Sequence, residues 1–216
     1  IADEPLLYSE QLVRLQKLYF WLKVNKVLYE GPVVVAVEDD MERMSLINAL
    51  ISIGQPIIIF DPAGTQYETS RILSDCQFCA VIAEEHVFER LILSEHGQPY
   101  LKVIKPKKTA GVFGRLLGDK SVKENETSWP LHIESNDLLE PEKIISLNQT
   151  SSEDLALVVF TSGTTNRSKG VEISYGALLS QLDTLKNQFK LGESSKLLNI
   201  LPLHHVDGLI QGPVIS

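Results

Sequence analysis

An α/β fold, built on a mostly parallel sheet with helices on its faces, is what this sequence predicts. Three observations carry that expectation. Short β-branched runs, "PVVVAV", "PIIIF", "CAVIA" and "DLALVVF", alternate with segments of helical periodicity. These runs are apolar throughout instead of alternating with polar residues, as strands buried on both faces are. The connections between them in the first part of the chain are short, as in repeated strand–helix units.

The elements follow in order. Leu12, Val13, Leu15, Leu18, Tyr19 and Leu22 recur at helical spacing through "EQLVRLQKLYFWLKV", with Ser9 as the expected N-cap. Residues 31–37, "GPVVVAV", read as a strand. Asp39 or Asp40 would cap the helix "MERMSLINALIS", which stops at Gly54. Next come the strand "PIIIF", a turn at "DPAG", a helix "QYETSRILSD" and the strand "CAVIA". Residues 105–130 break the pattern. They carry Lys105, Lys107, Lys108, Arg115, Lys120 and Lys123 among glycines, without periodicity, and read as a solvated connecting segment. "IISLN" has no clear assignment. "DLALVVF" enters a polar loop and "GVEIS" leaves it as strands. "YGALLSQLDTLKNQF" is a helix with Leu178, Leu179, Leu182 and Leu185 on one side, and "SKLLNILPL" a buried strand delivering "HHVDG" at its C-terminal end.

Composition narrows the function classes. With 216 residues and 44% hydrophobic content, the chain can build a real core and does not read as disordered. A net charge of −8 argues against nucleic acid as the main partner, since phosphate backbones need a basic face. A single nucleotide is a different matter, because local charge decides within a Debye length of about 8 Å. No apolar run approaches the roughly 18 residues that span a bilayer. The chain starts without Met and stops inside an apolar pattern, so it is expected to be a piece of something longer. Cys76 and Cys79 form a C-x-x-C, but where a helix ends and a strand begins, the reverse of a thioredoxin-like site. No second pair completes a zinc site, so packing is the expected role. Two thiols without a wider disulfide framework fit a reducing cytoplasm.

The loop "FTSGTTNRSKG" sets five hydroxyls, two glycines and two cations between two strands. Glycines let backbone N–H groups converge on phosphate oxygens, hydroxyls add rotatable donors, and Lys169 adds a mobile charge. A polar hairpin turn is the plainer alternative. Hairpin connections, however, usually take about two to five residues, whereas ten lie between Phe160 and Val171. The loop is not a Walker loop, because Lys169 precedes Gly170 and no helix follows directly.

The same stretch closely resembles the Thr-Ser-Gly-Thr-Thr-Gly-x-Pro-Lys-Gly loop of the acyl-adenylate-forming enzymes: acyl-CoA synthetases, luciferases and peptide-synthetase adenylation domains. "LPLHHVDGL" resembles their following Pro-Leu-aromatic-His-x-x-Gly motif. "LLYSEQL" resembles the entry to their first helix, and "ALISIGQPIIIFDP" their Gly-ended helix leading to a strand that closes in Asp-Pro. The resemblance implies that residues 1–216 are the N-terminal portion of the large ATP- and acyl-binding domain, the mobile C-terminal domain lying outside this chain. It implies a reaction in which ATP and a carboxylic acid give an acyl-adenylate and pyrophosphate, after which a thiol of CoA, or of a carrier protein, takes the acyl group. Thr161, Ser162, Gly163, Thr164, Thr165 and Lys169 would then hold the β- and γ-phosphates, with Mg²⁺ sharing the charge. His205 matches the motif's His and would orient the incoming carboxylate. His204 stands where the family has an aromatic residue, and Asp207 is expected to cap a helix. Asn166 replaces a Gly, and Ser168 replaces a Pro that would stiffen the loop. A relic that binds phosphate without adenylating is the alternative of a different class.

Overall fold

The computed structural model describes residues 7–59, 61–91, 101–105, 126, 127, 129, 130, 137–161, 169–192 and 194–210. The elements run α1 (Tyr8–Val24), β1 (Val33–Ala36), α2 (Asp40–Ile53), β2 (Ile57–Ile59), α3 (Gln66–Ser74), β3 (Ala80–Glu84) and α4 (Glu85–Arg90). They continue with β4 (Leu101–Lys105), β5 (Glu126–Thr127), α5 (Pro141–Leu147), β6 (Leu155–Thr161), β7 (Lys169–Ser174), α6 (Tyr175–Phe189) and α7 (Val206–Leu209). The strands form one sheet in the order β5-β4-β3-β1-β2-β6-β7. Every neighbouring pair is parallel except β6 and β7, which pair antiparallel. The expected α/β architecture with a mostly parallel sheet is present.

The apolar runs are central strands for the reason expected. Val33, Val34, Val35 and Ala36 are all fully buried, as are Ile57 and Ile59, with Ile58 nearly so. Alternate residues serve opposite faces. Val33, Val35, Ile57 and Ile59 join a core with α1, α2, α5 and α6, in which Leu18, Leu22, Leu46, Leu50, Ile144 and Leu178 are buried. Val34, Ile58 and Val81 face a second core with Leu73 of α3 and Val87 and Phe88 of α4.

Helix ends are set by local chemistry. The Asp39 side chain accepts from the Glu42 N–H at 3.1 Å, so Asp39 is the cap of α2. Gly54 closes that helix in the left-handed region, φ +87°, its N–H reaching the carbonyls of Ile51 and Leu50. A Cβ at Gly54 would lie 2.5 Å from Asn148 Oδ1, which itself accepts from the Thr150 N–H. Gly54→Ala therefore meets both strain and a steric neighbour. We expect it to destabilise the fold by about 2 kcal/mol, read as a lower urea midpoint at unchanged slope.

Several expectations are corrected. Ser9 lies inside α1, whose N-cap is Leu7, because Glu10 reaches back to accept from the Leu7 N–H at 2.8 Å. "IISLN" belongs to α5, opened by Pro141 at its first turn. Of the expected connecting segment, residues 105–130, Lys105 closes β4, and Glu126 pairs with Lys102. Residues 106–125 lie outside the described residues. "SKLLNILPL" forms no strand among the described residues and, apart from its last residue Leu203, is not buried. Leu198 is 88% exposed and Ile200 82%, because the run does not pair with β7, the strand at that edge of the sheet, and so gains neither ladder nor cover. On α6, Leu178 and Leu185 are buried while Leu179 turns outward. No helix among the described residues is long and apolar enough to cross a membrane.

Candidate active site

The parallel strands β1, β2, β3 and β6 all point their carboxyl ends to one edge of the sheet, where ligand sites of open α/β sheets lie. Ile59 pairs with Val159, so Asp61 and Thr161 leave the sheet at the same level on adjacent strands. Thr161 and Lys169 face each other as the last pair of the β6–β7 hairpin, and the Thr161 hydroxyl reaches the Lys169 carbonyl at 3.5 Å. The strands run further into the loop than expected, so seven residues, 162–168, separate them. That is still longer than ordinary hairpin turns. Ser162, Gly163, Thr164 and Thr165 lie outside the described residues, while Thr161 and Lys169 are exposed at the loop's base.

The Pro-Leu-His-His stretch arrives through a turn instead of a strand. The His205 N–H donates to the Pro202 carbonyl at 3.1 Å, and the His205 carbonyl accepts from the Leu209 N–H at 2.9 Å. His205 thus caps α7 with its backbone, and Asp207, expected as the cap, falls inside the helix. Gly208 packs directly on this turn: an added Cβ would collide with the Pro202 carbonyl oxygen and lie 2.9 Å from that of Leu201. Asn199 closes the unit, donating through Nδ2 to the Gly208 carbonyl at 2.8 Å and accepting at Oδ1 from the Leu201 N–H at 3.0 Å.

This unit reaches the sheet edge through His204. Its Nδ1 lies 3.8 Å from Asp61 Oδ1, and its ring centroid lies 4.5 Å from that of His205, tilted by 52°. Burial holds the His204 imidazole below its ordinary pKa; Asp61 and Asp40 oppose that shift, while His205 and Arg43 add to it. Arg43, buried on α2, stitches the end of β1. Its guanidinium donates to the carbonyls of Val37 and Glu38 and pairs with Asp40 at 3.3 Å. Burial lowers its pKa, countered by the charges of Asp40, Asp61, Glu84 and Glu38. Further along the edge, the Glu38 carboxylate accepts from His86 at 2.9 Å and Arg90 at 2.7 Å. Partial burial alone would raise the Glu38 pKa, but these two partners more than reverse it and hold it low.

Sequence reasoning named none of Glu38, Arg43, Asp61, Glu84, His86 or Arg90 as site residues. A signal was present: an acidic residue follows the apolar runs "VVVAV", "PIIIF" and "AVIA". Cys76 and Cys79 lie away from this edge, at the amino end of β3. Burial pushes both thiols up to about 11, with Asp75 adding for Cys76 and Glu30 for Cys79. Cys79 Sγ sits 3.1 Å from the Gly31 carbonyl. Such thiols stay protonated at neutral pH, in keeping with a packing role.

The family model described as AMP-binding enzyme matches residues 6–214. The chain belongs to the AMP-binding enzyme family. Within that family it is 28% identical over 143 residues to the mitochondrial malonate–CoA ligase of Xenopus laevis, covering 66% of this chain and 21% of that protein. Against gramicidin S synthase 2 of Aneurinibacillus migulanus it is 22% identical over 197 residues, 91% of this chain and 4% of that protein. Among solved structures, ATP-bound MatB from Rhodopseudomonas palustris superposes with a TM-score of 0.67 at 19% identity, covering 96% of this chain and 37% of that one. The AMP-binding fold is thereby shared, and this chain spans about a fifth or less of the length of the curated relatives it matches.

Proposed function

We propose that the protein containing this chain is an ATP-dependent acid–thiol ligase: it converts a carboxylic acid to its acyl-adenylate, releasing pyrophosphate, and transfers the acyl group to CoA. The observation that carries this reading is convergence. The base of the hydroxyl- and glycine-rich loop and the His204–His205 turn both lie at the carboxyl ends of the neighbouring strands β6 and β2. Malonate–CoA and oxalate–CoA ligases among the relatives support a CoA acceptor.

The roles follow from the chemistry. The carboxylate oxygen attacks the α-phosphorus, and the bond to the bridging oxygen breaks, leaving charge on pyrophosphate. Thr161, Ser162, Gly163, Thr164, Thr165 and Lys169 hold that leaving group, each charge-assisted hydrogen bond contributing about 1.5–3 kcal/mol. Mg²⁺ would arrive on the phosphate oxygens and share their charge. His205, exposed at the start of α7, orients the carboxylate. The long match to gramicidin S synthase 2 favours one further reading, in which the acceptor is the pantetheine thiol of a carrier protein.

The test is carboxylate-dependent ATP–pyrophosphate exchange by the full natural protein over a panel of acids. It is followed by transfer assays offering CoA or a pantetheinylated carrier protein. Exchange with at least one acid and thioester formation on CoA are expected. Exchange without transfer to CoA would move the proposal to the carrier protein. No exchange with any acid would leave the phosphate-binding relic as the better description.

A further inference from the structure

His204 stands where the family motif has an aromatic residue, and the structure gives that exchange a physical content. A hydrocarbon ring such as Phe there could only pack. His204 packs against His205, with centroids 4.5 Å apart, and also holds a titratable nitrogen 3.8 Å from the Asp61 carboxylate. That separation is too long for a hydrogen bond, so a neutral His204 is close to Asp61 without being bound to it. Asp61 is itself fixed, because its Oδ1 accepts from the Ala63 N–H at 2.9 Å and its carbonyl from the Gly64 N–H at 3.1 Å. The charged groups facing His204 are Asp61 beyond β2, His205 before α7, and Arg43 and Asp40 on α2.

We propose that His204, seated between the fixed Asp61 carboxylate and the His205 ring, is a positioning residue that sets the orientation of His205 and makes it depend on pH. The inference rests on the adenylation reading above, and it deepens that reading by assigning its acid limb. At neutral pH, His204 is uncharged and serves as a flat packing partner. As pH falls and it takes a proton, Asp61 draws the imidazolium within hydrogen-bond range. The ring then tilts away from His205. His205 loses its support on the acid side, and the carboxylate is presented less well.

The test compares the full natural protein with His204→Phe, which keeps the ring and removes the proton site, and with Asp61→Asn, which keeps the acceptor for Ala63. The readouts are titration of selectively labelled histidines by NMR and the pH profile of the exchange reaction. The His204 imidazole is expected to titrate at a lower pH in Asp61→Asn than in wild type, because the carboxylate that favours its proton is gone. In His204→Phe the kcat at about pH 5.5, relative to about pH 7.5, should exceed the wild-type ratio by about threefold or more, with KM for ATP unchanged. A purely packing His204 would leave the normalised rate profile alone. A His204 titration unchanged in Asp61→Asn, or normalised rate profiles identical in all three proteins, overturns the proposal. Should wild type show no exchange with any acid, the adenylation reading fails by itself, and the His204 titration in Asp61→Asn still decides whether Asp61 holds the His204 proton.

Discussion

Lys169→Ala is expected to lower carboxylate-dependent ATP–pyrophosphate exchange by about a hundredfold or more. The lysine is the last residue of the hairpin ladder, paired with Thr161, so its backbone is anchored while its exposed side chain is free to follow the loop. A point charge on a flexible stem suits a group that must hold departing pyrophosphate and then release it. Its loss removes stabilisation where charge develops, so kcat should suffer more than KM for the acid. Lys169→Arg separates charge from shape: partial activity would assign the effect to charge, and none would assign it to the compact ammonium. Exchange unchanged in the alanine variant would refute the role given to this residue.

Gly208→Ala is expected to be the most damaging conservative change in the His-x-x-Gly turn. The new methyl would collide with backbone, not with a side chain that could rotate away, since its neighbours are the carbonyls of Pro202 and Leu201. To make room, α7 must lift from the turn, loosening the Asn199 hydrogen bond to the Gly208 carbonyl and moving His205. A displacement of about 1 Å at a positioning residue can cost about a hundredfold in rate, and a fall of that order is the expected result. Gly192→Ala is the control, because a Cβ there meets nothing within 4 Å. Exchange at wild-type level in Gly208→Ala would mean that the turn does not hold the reacting carboxylate.

Much of this architecture was legible because it is local. The helix α2 follows from Asp39 before an apolar-periodic stretch and Gly54 after it, and both residues do what their chemistry allows at those positions. The central strands were visible because residues buried on both faces leave a continuous apolar run. What the sequence conceals is which partner satisfies a run. "SKLLNILPL" holds five Leu and Ile residues, yet Leu198 and Ile200 lie exposed, since composition says that a segment suits burial but not what would bury it. The short strand β5 has too few residues to show any period, and its place beside β4 is a tertiary fact. At the site, the loop and His205 stood out through their motif. The Asp61–His204 approach did not, because more than a hundred residues separate the two and only the folded chain brings the turn before α7 to the end of β2.

The parallel alignment of β2 and β6 has a cost during synthesis. Ile57 lies opposite Leu157, a hundred residues later in the chain. A ribosome adding about 5–20 residues per second needs about 5–20 s to make the difference. Through that interval β1, β3 and the first helices can assemble, but the outer edge of β2, three isoleucines with unpaired backbone groups, waits for a neighbour that does not yet exist. Nascent chains halted before residue 155 should therefore bind holdase chaperones strongly, and lose that binding once β6 has emerged from the exit tunnel.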